Sequence, residues 1–137
     1  MTGYSIPETL ERFWSARLAG DKRAVQGFMS EGALYEMVGA AALADQIVVG
    51  PTGAEAAVDA LLDDFAFRNL DIRSIIVDGS KAAVDSAIDV SFRGGPFAAT
   101  EFCDLWEFDD TGKVTSLRQF VDSDLLRRMV AAQSKDG

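Results

Sequence analysis

Residues 100–122, TEFCDLWEFDDTGKVTSLRQFVD, contain two alternating segments on either side of a turn. Side chains two apart in a β-strand point to the same face. One face of the first segment therefore carries three aromatic side chains and one carboxylate: Phe102, Trp106, Phe108 and Asp104. The stretch DDTGK supplies the turn signal, and VTSLRQF has the composition of a second strand. This region predicts an antiparallel hairpin with an acid on its buried face.

The preceding sequence changes from helical to strand periodicity. Capping boxes at Ser5-x-x-Glu8 and Thr52-x-x-Glu55 predict two helix starts, and Asp21 predicts a short helix between them. ALYEMV, residues 33–38, is predicted to be an early strand. Residues 39–51 lack a clear period and are predicted to form a loop, with QIVV at 46–49 as its candidate for a short strand. Asp122 is expected to cap a last helix.

This order of elements indicates an α+β fold. Three helices and one early strand precede a run of alternating segments that begins near Leu70. The pattern predicts helices packed on one face of a curved antiparallel sheet, in a single domain spanning residues 1–137.

Composition argues against several classes of function. The formal net charge of −9 would repel phosphate backbones, so a nucleic-acid partner is not expected. With no histidine and one cysteine, we expect no zinc or copper site and no cofactor, and the low cysteine content fits the cytoplasm. No apolar run is long enough to cross a bilayer, and the first 14 residues, MTGYSIPETLERFW, lack the pattern of a signal peptide.

Three stretches resemble the nuclear-transport-factor-2-like superfamily, and within it the ketosteroid-isomerase and SnoaL-like polyketide-cyclase branch. They are LAGD at the end of the first helix, GAEAAVDAL in the third, and DLWEFDDTGKVTSLRQFVD in the final hairpin. The resemblance covers about residues 7–126. It implies a cystatin-like cone, in which the three N-terminal helices and the sheet enclose a pocket. Because this fold hosts enzymes and binding proteins, it does not decide the activity.

The resemblance also suggests catalytic residues. In ketosteroid isomerases the final hairpin carries a protonated aspartic acid that donates to the enolate oxygen, and the ungapped count from the Gly-Lys turn places Asp104 there. The family's general base corresponds to Glu36 in one alignment and to Met37 in another. Its phenol donor corresponds to Phe13, which cannot donate a hydrogen bond. Desolvation between aromatic side chains would favour the neutral form of Asp104.

The resulting hypothesis is a cofactor-independent isomerase or cyclase that transfers a proton next to a carbonyl in an apolar polycyclic or terpenoid-sized substrate. Asp104 and Glu36 are its predicted catalytic residues. The predicted substrate-binding residues share the pocket faces of the helix and strands: Phe13, Trp14, Val90, Phe102, Trp106, Leu117 and Gln119.

Two other functions remain open. The first is a non-catalytic module that binds a small apolar ligand in the same pocket. The second, an epoxide hydrolase of the limonene-epoxide type, requires a carboxylate–arginine–carboxylate set. It fits less well, because Gln119 stands at one acid position and Asp89 should point away from Val90. The opposite face of the last two strands, with Cys103, Leu105 and Phe120, predicts a homodimer.

Overall fold

Helix α1 (Ile6–Leu18) begins at its predicted cap, in a computed structural model that describes residues 4–134. The Ser5 side chain accepts the backbone N–H of Glu8 at 3.5 Å. Pro7 lies in the first turn, where its missing N–H costs no intrahelical hydrogen bond. Helix α2 (Lys22–Gly27) is capped by Asp21, which accepts the backbone N–H of Ala24 at 3.0 Å.

The remaining elements are mostly strands, and four of them follow one another in the second half of the chain. In chain order they are β1 (Met29–Val38), a short 3₁₀ helix (Ala41–Leu43), β2 (Thr52–Gly53), α3 (Ala54–Asp64), β3 (Phe65–Asp78), β4 (Lys81–Phe92), β5 (Ala98–Phe108), β6 (Val114–Phe120) and α4 (Ser123–Ser134). The predicted α+β class, with three helices in the N-terminal half, is confirmed. The predicted domain limits, residues 1 and 137, lie outside the described residues. No helix in the described range is long and apolar enough to span a bilayer.

The strands form one curved, unclosed sheet in the order β2-β1-β6-β5-β4-β3. Strands β3 to β6 pair antiparallel, which confirms the prediction from Leu70 onward, although the first of them already begins at Phe65. The early strand β1 joins the edge of β6 in parallel, with Met37 opposite Gln119. The complete sheet is therefore mixed, a feature that the alternating pattern did not reveal, because alternation carries no information on strand direction.

Strands β5 and β6 form the predicted antiparallel hairpin, with Asp104 opposite Gln119. The Asp109 carboxylate accepts the backbone N–H groups of Thr111 and Lys113 at 2.9 and 3.0 Å, which fixes the turn. Gly112 has a φ of +87°, and a Cβ at this position would lie 2.7 Å from Cγ of Tyr4. The turn therefore requires glycine both for its backbone conformation and for the packing of Tyr4.

Two local predictions upstream of α3 need correction. The capping box at Thr52 and Glu55 is wrong: α3 begins at Ala54, and its N-cap residue Gly53 provides no side-chain hydrogen bond. Thr52 instead pairs with Tyr35 in the β1–β2 ladder. The loop at residues 39–51 is confirmed, but residues 46–49 do not form a strand. A single backbone hydrogen bond, from Met37 N to Val49 O at 2.7 Å, attaches this segment to β1.

Candidate active site

A cavity lies between the inner face of the sheet, the junction of α3 and β3, and helices α1 and α4. Its empty volume, including an open mouth, is about 440 Å³. Most of its wall is apolar: Met37, Leu61, Phe65, Phe67, Val90, Phe102, Val121, Leu125, Leu126 and Met129. The polar residues of the wall are Arg17, Tyr35, Thr100, Gln119 and Asp122. An apolar cavity with a few converging polar groups is typical of a small-molecule site.

The inner face of β5 is buried as its alternation predicts. Phe102, Asp104, Trp106 and Phe108 are buried, and their neighbours Glu101, Cys103, Leu105 and Glu107 are exposed. Asp104 is completely inaccessible to solvent. The carboxylate in the opening stretch therefore belongs to the interior of the molecule.

Burial dominates the chemistry of Asp104. Desolvation raises the pKa of Asp104 to about 7, because the interior disfavours the charged form. The amide of Gln119, directly opposite on β6, opposes part of this rise. Neither carboxyl oxygen has a hydrogen-bond partner of normal geometry among residues 4–134, so the contact with Gln119 is weak. Asp104 is consequently an acid that is substantially protonated at neutral pH.

Gln119 connects this acid to the cavity. Its Oε1 accepts a short hydrogen bond from the hydroxyl of Tyr35, whose side chain points inward from β1. Burial also raises the pKa of Tyr35, so its hydroxyl stays protonated at neutral pH. Because the Gln119 oxygen faces Tyr35, its amide N–H groups are left to face other groups, including Asp104 or a ligand. Tyr35, Gln119 and Asp104 form a buried polar row.

Arg17 approaches the same cavity from α1. Its Nη2 donates to the backbone oxygens of Phe65 and Leu61 at 2.9 and 3.4 Å, at the C-terminal end of α3. Its guanidinium carbon lies 4.3 Å from the ring centroid of Phe67, within cation–π range. Burial lowers the pKa of Arg17 to about 10, which leaves it cationic at neutral pH.

Asp122 is one of the residues that line the cavity, near the start of α4. It caps that helix by accepting the backbone N–H of Leu125 at 3.0 Å, as the sequence predicts for a capping residue. A cap uses only part of the acceptor capacity of a carboxylate. The exposed position of Asp122 contrasts with the full burial of Asp104.

The predicted substrate-binding residues divide into two groups. Val90, Phe102 and Gln119 line the cavity. Phe13, Trp14, Trp106 and Leu117 lie in the packed core, where the rings of Phe13 and Trp106 are 4.9 Å apart with edge-to-face geometry. The position that corresponds to the family's phenol donor is therefore part of the core. The indole nitrogens of Trp14 and Trp106 have no hydrogen-bond partner among residues 4–134.

The structure does not bring Glu36 into the cavity. Tyr35 and Met37 point inward, so Glu36, between them, points outward, and its Oε1 accepts a hydrogen bond from Arg118 Nε at 2.9 Å. Met37, which the other alignment places at the position of the family's general base, lines the cavity. Glu36 and Asp104 therefore do not face the same cavity, because a one-residue shift along a strand reverses the side-chain direction.

Asp89 and Gln119 do not form the carboxylate–arginine–carboxylate set of an epoxide hydrolase. Asp89 accepts a hydrogen bond from Asn69 at 2.8 Å on the outer side of the sheet, as its alternation with Val90 predicts. Gln119 occupies the other acid position.

Several cavity residues were not predicted from the sequence, among them Arg17, Tyr35 and Asp122. For Arg17 a signal was present, since it follows Leu10, Phe13 and Trp14 at helical spacing and therefore belongs to the buried face of α1. The inward direction of Tyr35 could have been inferred from that of Met37, because side chains two apart in a strand point to the same face. Asp122 was assigned only to helix capping, because its distance from the cavity depends on how α4 packs.

Comparison with known proteins agrees with this architecture. A profile of the SnoaL-like domain family matches residues 10–117. No curated protein is significantly similar in sequence. Among solved structures, an NTF2-like protein of unknown function from Burkholderia pseudomallei K96243 has a TM-score of 0.76 at 15% identity, over 91% of this chain and 96% of that one.

Two further solved structures are similar in fold. TerC co-crystallised with polyporic acid has a TM-score of 0.73 at 17% identity, over 92% of this chain and 98% of that chain. A putative SnoaL-like polyketide cyclase from Jannaschia sp. CCS1 has a TM-score of 0.69 at 19% identity, over 93% and 92% of the two chains. The profile match covers most of the sequence, and the fold neighbours are consistent with it. The chain belongs to the SnoaL-like domain family, and its fold is similar to that of NTF2-like proteins.

Proposed function

We propose that this chain is a cofactor-independent enzyme of the isomerase or cyclase type, which transfers a proton next to a carbonyl group in an apolar ring compound. The observation that carries the proposal is a buried acid, Asp104, with its pKa raised to about 7, joined through Gln119 to an apolar cavity. Perturbed acids next to a cavity are characteristic of catalytic sites. The binding of polyporic acid by the structurally similar TerC supports a ligand of this general kind.

The roles of the residues follow from charge. A substrate carbonyl at the inner end of the cavity would accept a hydrogen bond from the Gln119 amide. Negative charge develops on the carbonyl oxygen during the reaction. A neutral Asp104 behind Gln119 does not repel this charge, whereas an ionised Asp104 would. Asp104 is in this scheme a positioning residue, and Gln119 touches the substrate.

The proton acceptor we assign is Asp122. Among the side chains that line the cavity it is the one carboxylate. It is exposed, and its helix-capping bond leaves acceptor capacity for a proton. It replaces Glu36, which faces away from the cavity.

Deuterium exchange into 2-tetralone provides the test. We expect the wild-type chain to accelerate exchange at the carbons next to the carbonyl above the buffer rate, measured by proton NMR in D₂O. Asp122→Asn keeps the helix cap, since asparagine caps as well as aspartate. It should reduce the exchange rate about 100-fold, the usual contribution of a general base. Asp124→Asn makes the same charge change outside the cavity and should leave the rate unchanged.

The pH dependence of this reaction tests Asp104. Exchange by the wild type should decline as pH rises through about 7, the pKa of Asp104. Asp104→Asn should remove that decline. Exchange that is equal in the wild type and in Asp122→Asn would refute the assignment of the base.

The alternative is a non-catalytic binding module, which the outward ion pair of Glu36 favours, because it removes the family's base from the cavity. Binding of 2-tetralone without any acceleration of exchange is the result that this alternative predicts. A homodimer and a cytoplasmic location remain predictions from the sequence.

A further inference from the structure

Arg17 has N–H donors that no residue in the described range, 4–134, accepts. A guanidinium group carries five N–H donors. In Arg17 the two on Nη2 donate to the backbone oxygens of Leu61 and Phe65. The other three, on Nε and Nη1, donate to none of the residues between 4 and 134. The side chain is only 5% exposed and lines the cavity, so these donors are not freely hydrated.

The charge of Arg17 also lacks a carboxylate partner. None of the ion pairs between residues 4 and 134 includes Arg17, and each of them has at least one exposed side chain. The carbonyl end of α3 and the face of Phe67 stabilise the cation in part. A buried cation without an anionic partner is costly, and an anionic ligand would remove most of that cost.

The geometry fixes where such a ligand would sit. The contacts with Phe65, Leu61 and Phe67 hold the guanidinium group from one edge and one face, so the unused donors can bind a group in the cavity. Phe67, Phe102 and Met129 supply apolar surface in the same wall. Tyr35 lies close enough for its charge state to affect that of Arg17, and its hydroxyl oxygen retains acceptor capacity.

We propose that Arg17 is a specificity residue that selects apolar ring compounds carrying an anionic oxygen group, a carboxylate or an ionised enol. Arginine is suited to this role because its planar donors match a planar oxyanion. The net charge of the chain, −9, would by itself repel such ligands, so a preference for the anion requires a local cation. This inference deepens the proposed function and depends on the same cavity.

Two probes of nearly equal size test it. Isothermal titration calorimetry at pH 7 compares 2-naphthoate, which carries a carboxylate, with the neutral 2-naphthamide. We expect the wild type to bind 2-naphthoate at least about tenfold more tightly, a difference typical of a charge-assisted hydrogen bond over a neutral one. Arg17→Gln should abolish the preference and retain binding of 2-naphthamide.

The control is Arg12→Gln. Arg12 is on the same helix, is exposed and does not line the cavity, so its removal changes the net charge equally. This variant should keep the preference for 2-naphthoate. If Arg17→Gln does not fold, the wild-type comparison still decides: equal affinity for the two probes, or no binding of 2-naphthoate at about 1 mM, overturns the proposal.

Failure here is distinguishable from failure of the proposed function. The exchange reaction uses a neutral ketone and depends on Asp122. A wild-type chain that shows no anion preference but still accelerates 2-tetralone exchange would reject the role of Arg17 alone. Preference for the anion without exchange would retain Arg17 in a binding module.

Discussion

Asp104 on β5 and Glu36 on β1 both lie beside β6, but they point to opposite faces of the sheet and have opposite environments. On β6, Gln119 lies opposite Asp104, and the next residue, Arg118, lies opposite Glu36. The inward acid has no charged partner and no solvent, whereas the outward acid pairs with an arginine and keeps contact with water. Two adjacent residues of β6, Gln119 and Arg118, thus face an acid with a strongly raised pKa on one side of the sheet and a surface ion-pair partner on the other. The difference arises from side-chain direction alone.

The largest expected effect comes from the inward acid, through Asp104→Asn. The carboxyl is neutral in both the folded and unfolded chains below its unfolded pKa of about 3.9. As pH rises from there to about 7, the unfolded chain ionises first, so the wild type loses stability. Above pH 7 the folded chain carries a buried anion, at a total cost on the order of 4 kcal/mol.

Asparagine does not titrate, so the free energy of unfolding of Asp104→Asn should rise relative to wild type between pH 5 and pH 8. Urea unfolding at both pH values measures this difference. A variant whose difference from wild type is independent of pH would show that Asp104 has an ordinary pKa. The contrast between the two faces would then disappear.

The outer face gives a second, smaller expected effect, on assembly. Leu105 and Phe120 are exposed there, at 38% and 36%, although they are apolar. If a homodimer forms across this face, as the sequence predicts, Leu105→Lys should weaken it at least about tenfold, by placing a charge in an apolar interface. Analytical ultracentrifugation over a concentration series measures the dissociation constant.

Leu18→Lys is the matched control for that variant. Leu18 is equally exposed, at 38%, but lies at the end of α1 rather than on the sheet. It should leave the dissociation constant unchanged. A wild-type chain that remains monomeric at tens of micromolar, roughly the range in which ordinary specific interfaces saturate, contradicts the predicted dimer.

The smallest effect is expected for Glu36→Gln. The pair with Arg118 is partly hydrated, with the two side chains 28% and 44% exposed, so its contribution to stability should be below about 1 kcal/mol. Urea unfolding at low and high salt measures it, and the loss should shrink as salt screens the pair. A large loss of 2-tetralone exchange in this variant would restore Glu36 as a catalytic candidate.

The sequence was most informative where one pattern determined one geometry. Alternation in β5 placed Asp104 inside, and the DDTGK turn signal correctly predicted the hairpin that joins β5 to β6. Alternation could not place Glu36, because two alignments one residue apart give opposite directions for the same side chain. Nor could it show that β1 lies parallel to β6, since that contact joins segments far apart in the chain.

The cavity itself was only partly predictable. Val90, Phe102 and Gln119 were identified, but Trp14 and Trp106 were assigned to the wall although they lie in the core. Alternation along a strand shows which side chains point inward. It does not show which of them meet a neighbouring helix and which meet empty space. Arg17 and Asp122 reach the cavity through the packing of α1 and α4, which no local pattern specifies.

The burial of both tryptophans has a consequence for spectroscopy. Trp14 and Trp106 are the two indoles of the chain, both are shielded from water, and Trp106 lies two residues from Asp104 on the same face. Their emission should therefore be at short wavelength, and a charge that appears on Asp104 should act on Trp106 as a local electric field. The intrinsic fluorescence of the protein thus reports the protonation state of its interior acid, without any added label.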